Sequence, residues 1–126
     1  MPTTVRTDPP KDPLVPEEIR VSRDRARLTV AYPHDRFEFS AEFLRVNSPS
    51  AEVQGHGPNQ RILVSGKKTV GIAGIEAVGN YAILIRFDDG HDTGIFSWRY
   101  LHELGTHQEK LWRDYESDIS KAGLSR

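Results

Sequence analysis

The sequence predicts a small α+β domain, a β-rich body of antiparallel strands with short helices and a C-terminal helix packed on the sheet. Three observations carry that prediction. Apolar residues alternate with polar ones in short runs, at Ile19 and Val21, at Leu28, Val30 and Tyr32, and at Phe37 and Phe39, which is the period of half-buried strands. Further runs rich in Ile and Val are separated by the Gly-bearing turns Ser65-Gly66 and Gly79-Asn80. From Ser97 onward the period becomes helical, and Leu111, Trp112, Tyr115 and Ile119 fall on one side.

The elements follow in order. Residues 1–16 hold Pro2, Pro9, Pro10, Pro13 and Pro16 among charges and few apolar anchors. They bury too little surface to offset ordering entropy, so a flexible tail is expected there, with the domain proper at 17–122. The runs at 19–21 and 28–32 flank the polar turn Ser22-Arg23-Asp24-Arg25 as a hairpin, and Phe37 and Phe39 mark a third strand ending at Ser40. Ser40 stands three residues before Phe43, where its hydroxyl can cap a short helix running to about Val46. Residues 47–59 are dense in turn formers and have no sustained period, so they read as a loop, long enough to carry a function. Strands are expected again at 61–64, 70–77 and 81–87. Asp88-Asp89-Gly90 is a tight-turn tripeptide in which Gly90 supplies a positive φ where the turn needs one. Residues 97–104 read as a helix ended by Gly105, and 106–121 as a second helix. Trp98, Tyr100, Trp112 and Tyr115 are expected to pack helices on the sheet rather than form a stacking platform.

Composition narrows the function. The chain has 126 residues, the size of one domain. Its 17 Lys and Arg against 18 Asp and Glu give a formal charge of −1, which supplies no field drawing it to nucleic acid or an anionic membrane. No apolar stretch approaches the roughly 20 residues of a membrane-spanning helix, and the first sixteen residues lack the apolar run of a secretory signal. A soluble, cytoplasmic protein is expected. There is no cysteine, which removes disulfides, thiolate nucleophiles, thiolate ligation of iron–sulfur clusters and Cys-type zinc sites.

His56, His91, His102 and His107 fall at loops or helix edges, where imidazole can ligate a metal, yet no His-Glu-x-x-His occurs. His107-Gln108-Glu109 has the first spacing of a non-haem iron triad, but it sits at a helix start with no later His. Asp88, Asp89, His91 and Asp92 gather four donors around Gly90. Their plain reading is a solvated turn whose carboxylates accept backbone N–H groups, since the spacing is not that of an EF-hand. Ser48, Ser50 and Ser65 stand in no Gly-x-Ser-x-Gly elbow, and the glycines at 66, 71, 74 and 79 make no phosphate-binding motif. No complete catalytic constellation is present, so the chain is expected not to be an enzyme.

Two segments resemble a known family. Phe43-Leu44-Arg45-Val46-Asn47-Ser48-Pro49-Ser50-Ala51-Glu52-Val53-Gln54-Gly55-His56-Gly57 resembles a Leu-Arg-x-x-Ser-Pro-Ser-Ala-Glu-x-x-Gly-His signature. The stretch from Val78-Gly79-Asn80-Tyr81-Ala82 through Asp89-Gly90-His91 and Gly94-Ile95-Phe96 to Trp98 and Leu101 resembles Val-Gly-Asn-Tyr-Ala…Asp-Gly-His-x-x-Gly-Ile-Tyr-x-Trp-x-x-Leu. Both are signatures of the DUF971 family, the stand-alone bacterial relatives of the γ-butyrobetaine hydroxylase N-terminal domain, and the likeness covers about Ile19 to Gly105. The resemblance implies a small β-rich α+β domain. In the dioxygenases it is similar to a zinc module with three Cys and the His of Asp-Gly-His; the matching positions here are Ser48, Ser50, Val53 and His91. A Cys₃His site is thereby excluded. The resemblance leaves a rebuilt zinc or iron site using His91 with His56 as the alternative reading, with no cofactor required otherwise.

The same family is also fused to a P-loop iron–sulfur carrier ATPase in chloroplast proteins. That implies a protein partner and an accessory, adaptor-like role in iron–sulfur cluster handling. The interaction face expected from these motifs comprises Arg45, Ser48, Ser50 and Glu52 of one segment with Asp88, Asp89 and Asp92 of the other.

Overall fold

The structure, a computed structural model, describes residues 14–49 and 63–126. Of the segment read as a tail, 1–13 lie outside the described residues, and Leu14, Val15 and Pro16 are half-buried. β1 (Glu18–Val21), β2 (Arg27–Ala31) and β3 (Arg36–Ser40) form one antiparallel sheet in that order. Its register opposes Leu28 to Phe39 and Val30 to Phe37, so the period of two puts Leu28, Val30 and Phe39 on one fully buried face. The β1–β2 turn is held by Asp24, whose Oδ1 accepts from the Ser22 hydroxyl at 2.6 Å and from the Ala26 N–H at 3.0 Å. Arg25 in that turn has φ 64°, an uncommon left-handed conformation for a non-glycine residue. Its carbonyl accepts the Ile72 N–H at 2.8 Å, which joins this turn to the second half of the chain.

Ser40 caps α1 (Ala41–Val46), its Oγ accepting from the Phe43 N–H at 3.0 Å as the sequence predicts. Every residue of this helix is buried, Glu42 and Arg45 included. Two charges inside so short an element require partners close at hand.

β4 (Ile72–Val78), β5 (Ala82–Phe87) and β6 (Gly94–Ser97) form a second antiparallel sheet, with an irregularity between Ile72 and Gly74. The antiparallel sheet expected from the sequence is thus two sheets of three strands each. The strand expected at 61–64 differs as well. Leu63 and Val64 lie in no strand, and 61–62 fall outside the described residues. β6 escapes sequence reading because its four residues, Gly94 first, are too few to show a period.

α2 (Trp98–Thr106) starts at Ser97, whose Oγ accepts the Tyr100 N–H at 3.1 Å, and α3 (Gln108–Lys121) follows after His107. The helix does not stop at Gly105. That glycine serves close packing instead, because a Cβ there would overlap the Phe37 ring of β3. One core cluster joins both sheets and the helices through Leu28, Phe39, Phe43, Ile85, Phe96 and Leu101, with Trp98, Tyr100 and Trp112 packed against it. Each such fully buried large apolar side chain contributes about 1.5–3 kcal/mol relative to exposure. A smaller cluster of Val46, Tyr115 and Ile119 seats α3, with Trp112 shared between the two.

Candidate functional site

The described part of the first family-like segment, Phe43 to Pro49, meets the second in the fold. α1 delivers Arg45 and, just past its end, Ser48; the turn between β5 and β6 delivers Asp88, Asp89 and His91. Arg45 is buried, and its Nε donates to Asp89 Oδ2 at 2.8 Å. Lys67 Nζ reaches the same oxygen at 2.6 Å, while Asp89 Oδ1 accepts the His91 backbone N–H at 3.1 Å. The Asp89 side chain is 18% exposed, although the turn's backbone is open to solvent. Burial pushes its carboxyl up, but the hydrogen bonds from Lys67, the His91 backbone and Arg45, together with the Arg45 charge, outweigh burial and bring it to about 2.

Below this ion cluster the Ser48 hydroxyl lies 2.9 Å from His91 Nε2, and both residues are buried, Ser48 completely. Gly94 makes room for the pair, since a Cβ there would stand 2.7 Å from Ser48 Oγ. Asn47 is fixed in turn: its Nδ2 donates to the Phe43 carbonyl at 2.9 Å, and its own carbonyl accepts the Tyr100 hydroxyl at 2.5 Å. The turn itself is closed by the Phe87 N–H to the His91 carbonyl at 2.9 Å, with Gly90 at φ 93° as its sequence position requires. Asp88 adds a reciprocal pair with Gly71, its N–H donating to the Gly71 carbonyl and its Oδ1 accepting the Gly71 N–H, both at 2.9 Å.

Arg45, Ser48, Asp89 and His91 are therefore brought together, with the first two and His91 in the interior, while Asp88 and Asp92 are exposed. Ser50, Glu52 and His56 lie outside the described residues. His102 pairs with Asp35 at 2.9 Å, away from the turn in the sequence and on the α2 side of the first sheet. Lys67 is a member of the cluster that the sequence does not disclose, because a lysine beside the Ser65-Gly66 turn carries no spacing signal that ties it to Asp89. The contribution of Tyr100 was also illegible, since a tyrosine's bond to a distant carbonyl leaves no spacing signal.

The donor set does not fit the thiolate zinc module to which the segments are similar. Ser48 offers a neutral hydroxyl where that module has a thiolate, and this hydroxyl is already engaged with His91. A metal at His91 Nε2 would have to displace it. Among the described residues, no group of three or more His, Asp or Glu side chains is placed to hold a metal ion, and no helix is long and apolar enough to cross a membrane.

Residues 19–102 match the family model described as γ-butyrobetaine hydroxylase-like, N-terminal. A solution NMR structure at 49% identity covers 89% of this chain and 89% of its own, with a TM-score of 0.78. A second solution NMR structure at 42% identity covers 98% of this chain and 89% of its own, with a TM-score of 0.75. The crystal structure of a protein of unknown function from Acidithiobacillus ferrooxidans ATCC 23270, of the DUF971 family, is 34% identical over 75% of this chain and 98% of its own, with a TM-score of 0.63. No curated protein matches the chain.

Proposed function

The chain belongs to the γ-butyrobetaine hydroxylase-like N-terminal (DUF971) family, and from that membership we propose that it is a non-catalytic protein-binding domain, accessory to iron–sulfur cluster handling through a P-loop carrier ATPase. The observation that supports this reading is the construction of the 88–93 turn. Its backbone is closed on itself by the Phe87–His91 bond and tied to the body by Asp88 with Gly71 and by Asp89 with Arg45 and Lys67. Asp92 and Thr93 nevertheless face solvent. A turn held in one conformation before docking loses little entropy when a partner binds. The carboxylates of Asp88 and Asp92 give it an acidic rim suited to a basic patch on that partner.

The buried Ser48–His91 pair supports a bracing role. A hydroxyl with no exposed surface has no route to a substrate, so the contact is better suited to fixing the turn than to nucleophilic attack. The carrier ATPase enters from the family resemblance, in which a related domain and such a carrier share one chain.

The test is a titration of isotope-labelled domain with a P-loop iron–sulfur carrier ATPase, read by amide chemical shifts. Shifts clustered at residues 88–93, weakened roughly tenfold by Asp92→Lys, are expected for a rim charge that steers docking. Unmoved resonances with the carrier in large excess would rule out this partner.

A further inference from the structure

A second polar site is built on Glu42 of α1. Glu42 is 6% exposed, and its carboxylate is gripped by the Arg126 guanidinium through two hydrogen bonds, Nε to Oε2 at 3.0 Å and Nη2 to Oε1 at 2.9 Å. The same guanidinium lies 5.0 Å from the centre of the Trp112 ring, and the Trp112 and Tyr115 rings are 5.3 Å apart. Tyr115 is fixed by its hydroxyl, which donates to the Val64 carbonyl at 2.7 Å. A planar fork facing a carboxylate edge and an indole face is the arrangement that selects guanidinium over ammonium.

The two halves of this contact are built differently. Glu42, Trp112 and Tyr115 come from α1 and α3, in or against the core. Arg126 is 37% exposed and comes from the segment after α3, where Leu124 is 43% exposed and the Ser125 carbonyl accepts the Gly66 N–H at 2.9 Å. Releasing Arg126 would leave a buried carboxylate without its cation, a costly state that favours refilling by another guanidinium. Tyr115 also lines a cleft of about 230 Å³ with Val46, Leu63, Leu111, Asp114 and Asp118. The cleft shares Tyr115 with the seat and has an apolar floor; of its two carboxylates Asp114 pairs with Lys110 at 2.8 Å, and Asp118 adds the negative charge that complements a basic segment rather than an acidic one.

We propose that Glu42, Trp112 and Tyr115 form a guanidinium seat, that Arg126 fills it in cis, and that an arginine-bearing segment of a partner protein takes it when Arg126 swings away. Trp112, Tyr115 and Arg126 lie outside the 19–102 stretch that the family model matches and Glu42 lies within it; the bonds and ring contacts that build the seat involve no residue of the 88–93 turn, so the proposal does not rest on the carrier reading. Arg126 then acts as an autoinhibitory contact.

The experiment compares the parent protein with Arg126→Ala and Arg126→Gln, using an N-acetylated, C-amidated Leu-Ser-Arg peptide as probe and the Trp112 indole resonance as readout. The variants are expected to bind the peptide roughly tenfold or more tightly than the parent, and Glu42→Gln in the Arg126→Ala background should abolish that gain. A Leu-Ser-Lys peptide should bind at least several-fold more weakly. A folded variant whose Trp112 resonance ignores the peptide, or binding unaffected by Glu42→Gln, would overturn the proposal. Loss of the fold in both Arg126 variants would overturn it too, by making Arg126 a strut of the body.

Discussion

Ser48 and His91 meet in the interior, the serine hydroxyl 2.9 Å from the imidazole Nε2, and this contact ties the end of α1 to the turn between β5 and β6. By resemblance these are positions where a zinc module places a thiolate and its histidine. Here a hydrogen bond spans the gap. The contact ties the two segments together, and Gly94 keeps the space that it needs.

Removing that bond should be felt in stability. Ser48→Ala is expected to cost about 1–3 kcal/mol, because it takes a hydrogen-bond partner from a buried imidazole. Gly94→Ala should cost about 1–3 kcal/mol by overpacking, its Cβ falling 2.7 Å from Ser48 Oγ and 3.0 Å from Phe96 Cε1. The double variant should lose less than the sum, since deleting the hydroxyl removes the nearer clash. Urea unfolding of the four proteins measures the coupling, and strict additivity would show that Gly94 does not accommodate Ser48.

Asp89 should make stability depend on pH at the acid end. Its carboxyl falls from an ordinary 3.8 to about 2 in the folded state, so on acidification the unfolded chain takes up this proton first. The contribution is therefore complete above about pH 4 and disappears as pH falls towards 2, amounting to about 2 kcal/mol at most because Lys67 is partly solvated. Asp89→Asn should be less stable than the parent at neutral pH, with the difference shrinking below about pH 4. A difference that stays constant from pH 6 to pH 2 would be inconsistent with the Arg45–Asp89–Lys67 cluster as described.

Local signals made much of this fold legible. Alternation at Leu28, Val30, Phe37 and Phe39 located two strands, and the hydroxyl of Ser40 located the start of α1, because each depends on neighbours in sequence. The division into two sheets was not legible. It lies in which strands pair, and the two halves are then joined by long-range bonds such as Ile72 N–H to the Arg25 carbonyl; neither leaves a periodic trace. The motifs brought Arg45, Ser48, Asp89 and His91 into one group, but residue type alone suggested a presented face. Burial of Arg45 and Ser48 became readable only when their partners, Asp89 and His91, were placed beside them.

Tyr100 supplies a remote brace for the same corner. Its hydroxyl donates to the carbonyl of Asn47, the residue before Ser48. Tyr100→Phe keeps the ring packing against the core and removes only the bond, so it should cost about 0.5–1.5 kcal/mol. Amide hydrogen exchange should show the loss first at Asn47 and Ser48. Unchanged protection there would mean that Asn47 is held by its own side-chain bond to the Phe43 carbonyl.

Gly105 provides a test in which two effects oppose each other. At an ordinary helical position, Gly→Ala gains about 1 kcal/mol through helix propensity. Within α2, however, a Cβ at position 105 would overlap the ring of Phe37, a side chain packed between β3 and this helix beside Tyr32 and His102. The ring carbons are a rigid neighbour and cannot yield as the end of a flexible chain would, so the overlap should dominate. Gly105→Ala is expected to lose about 1–3 kcal/mol and Gly105→Val more, both read by thermal and urea unfolding. Phe37→Leu, which trims the ring, should recover part of the Gly105→Ala loss. A stabilised Gly105→Ala protein would show instead that α2 stands farther from β3 than this packing requires.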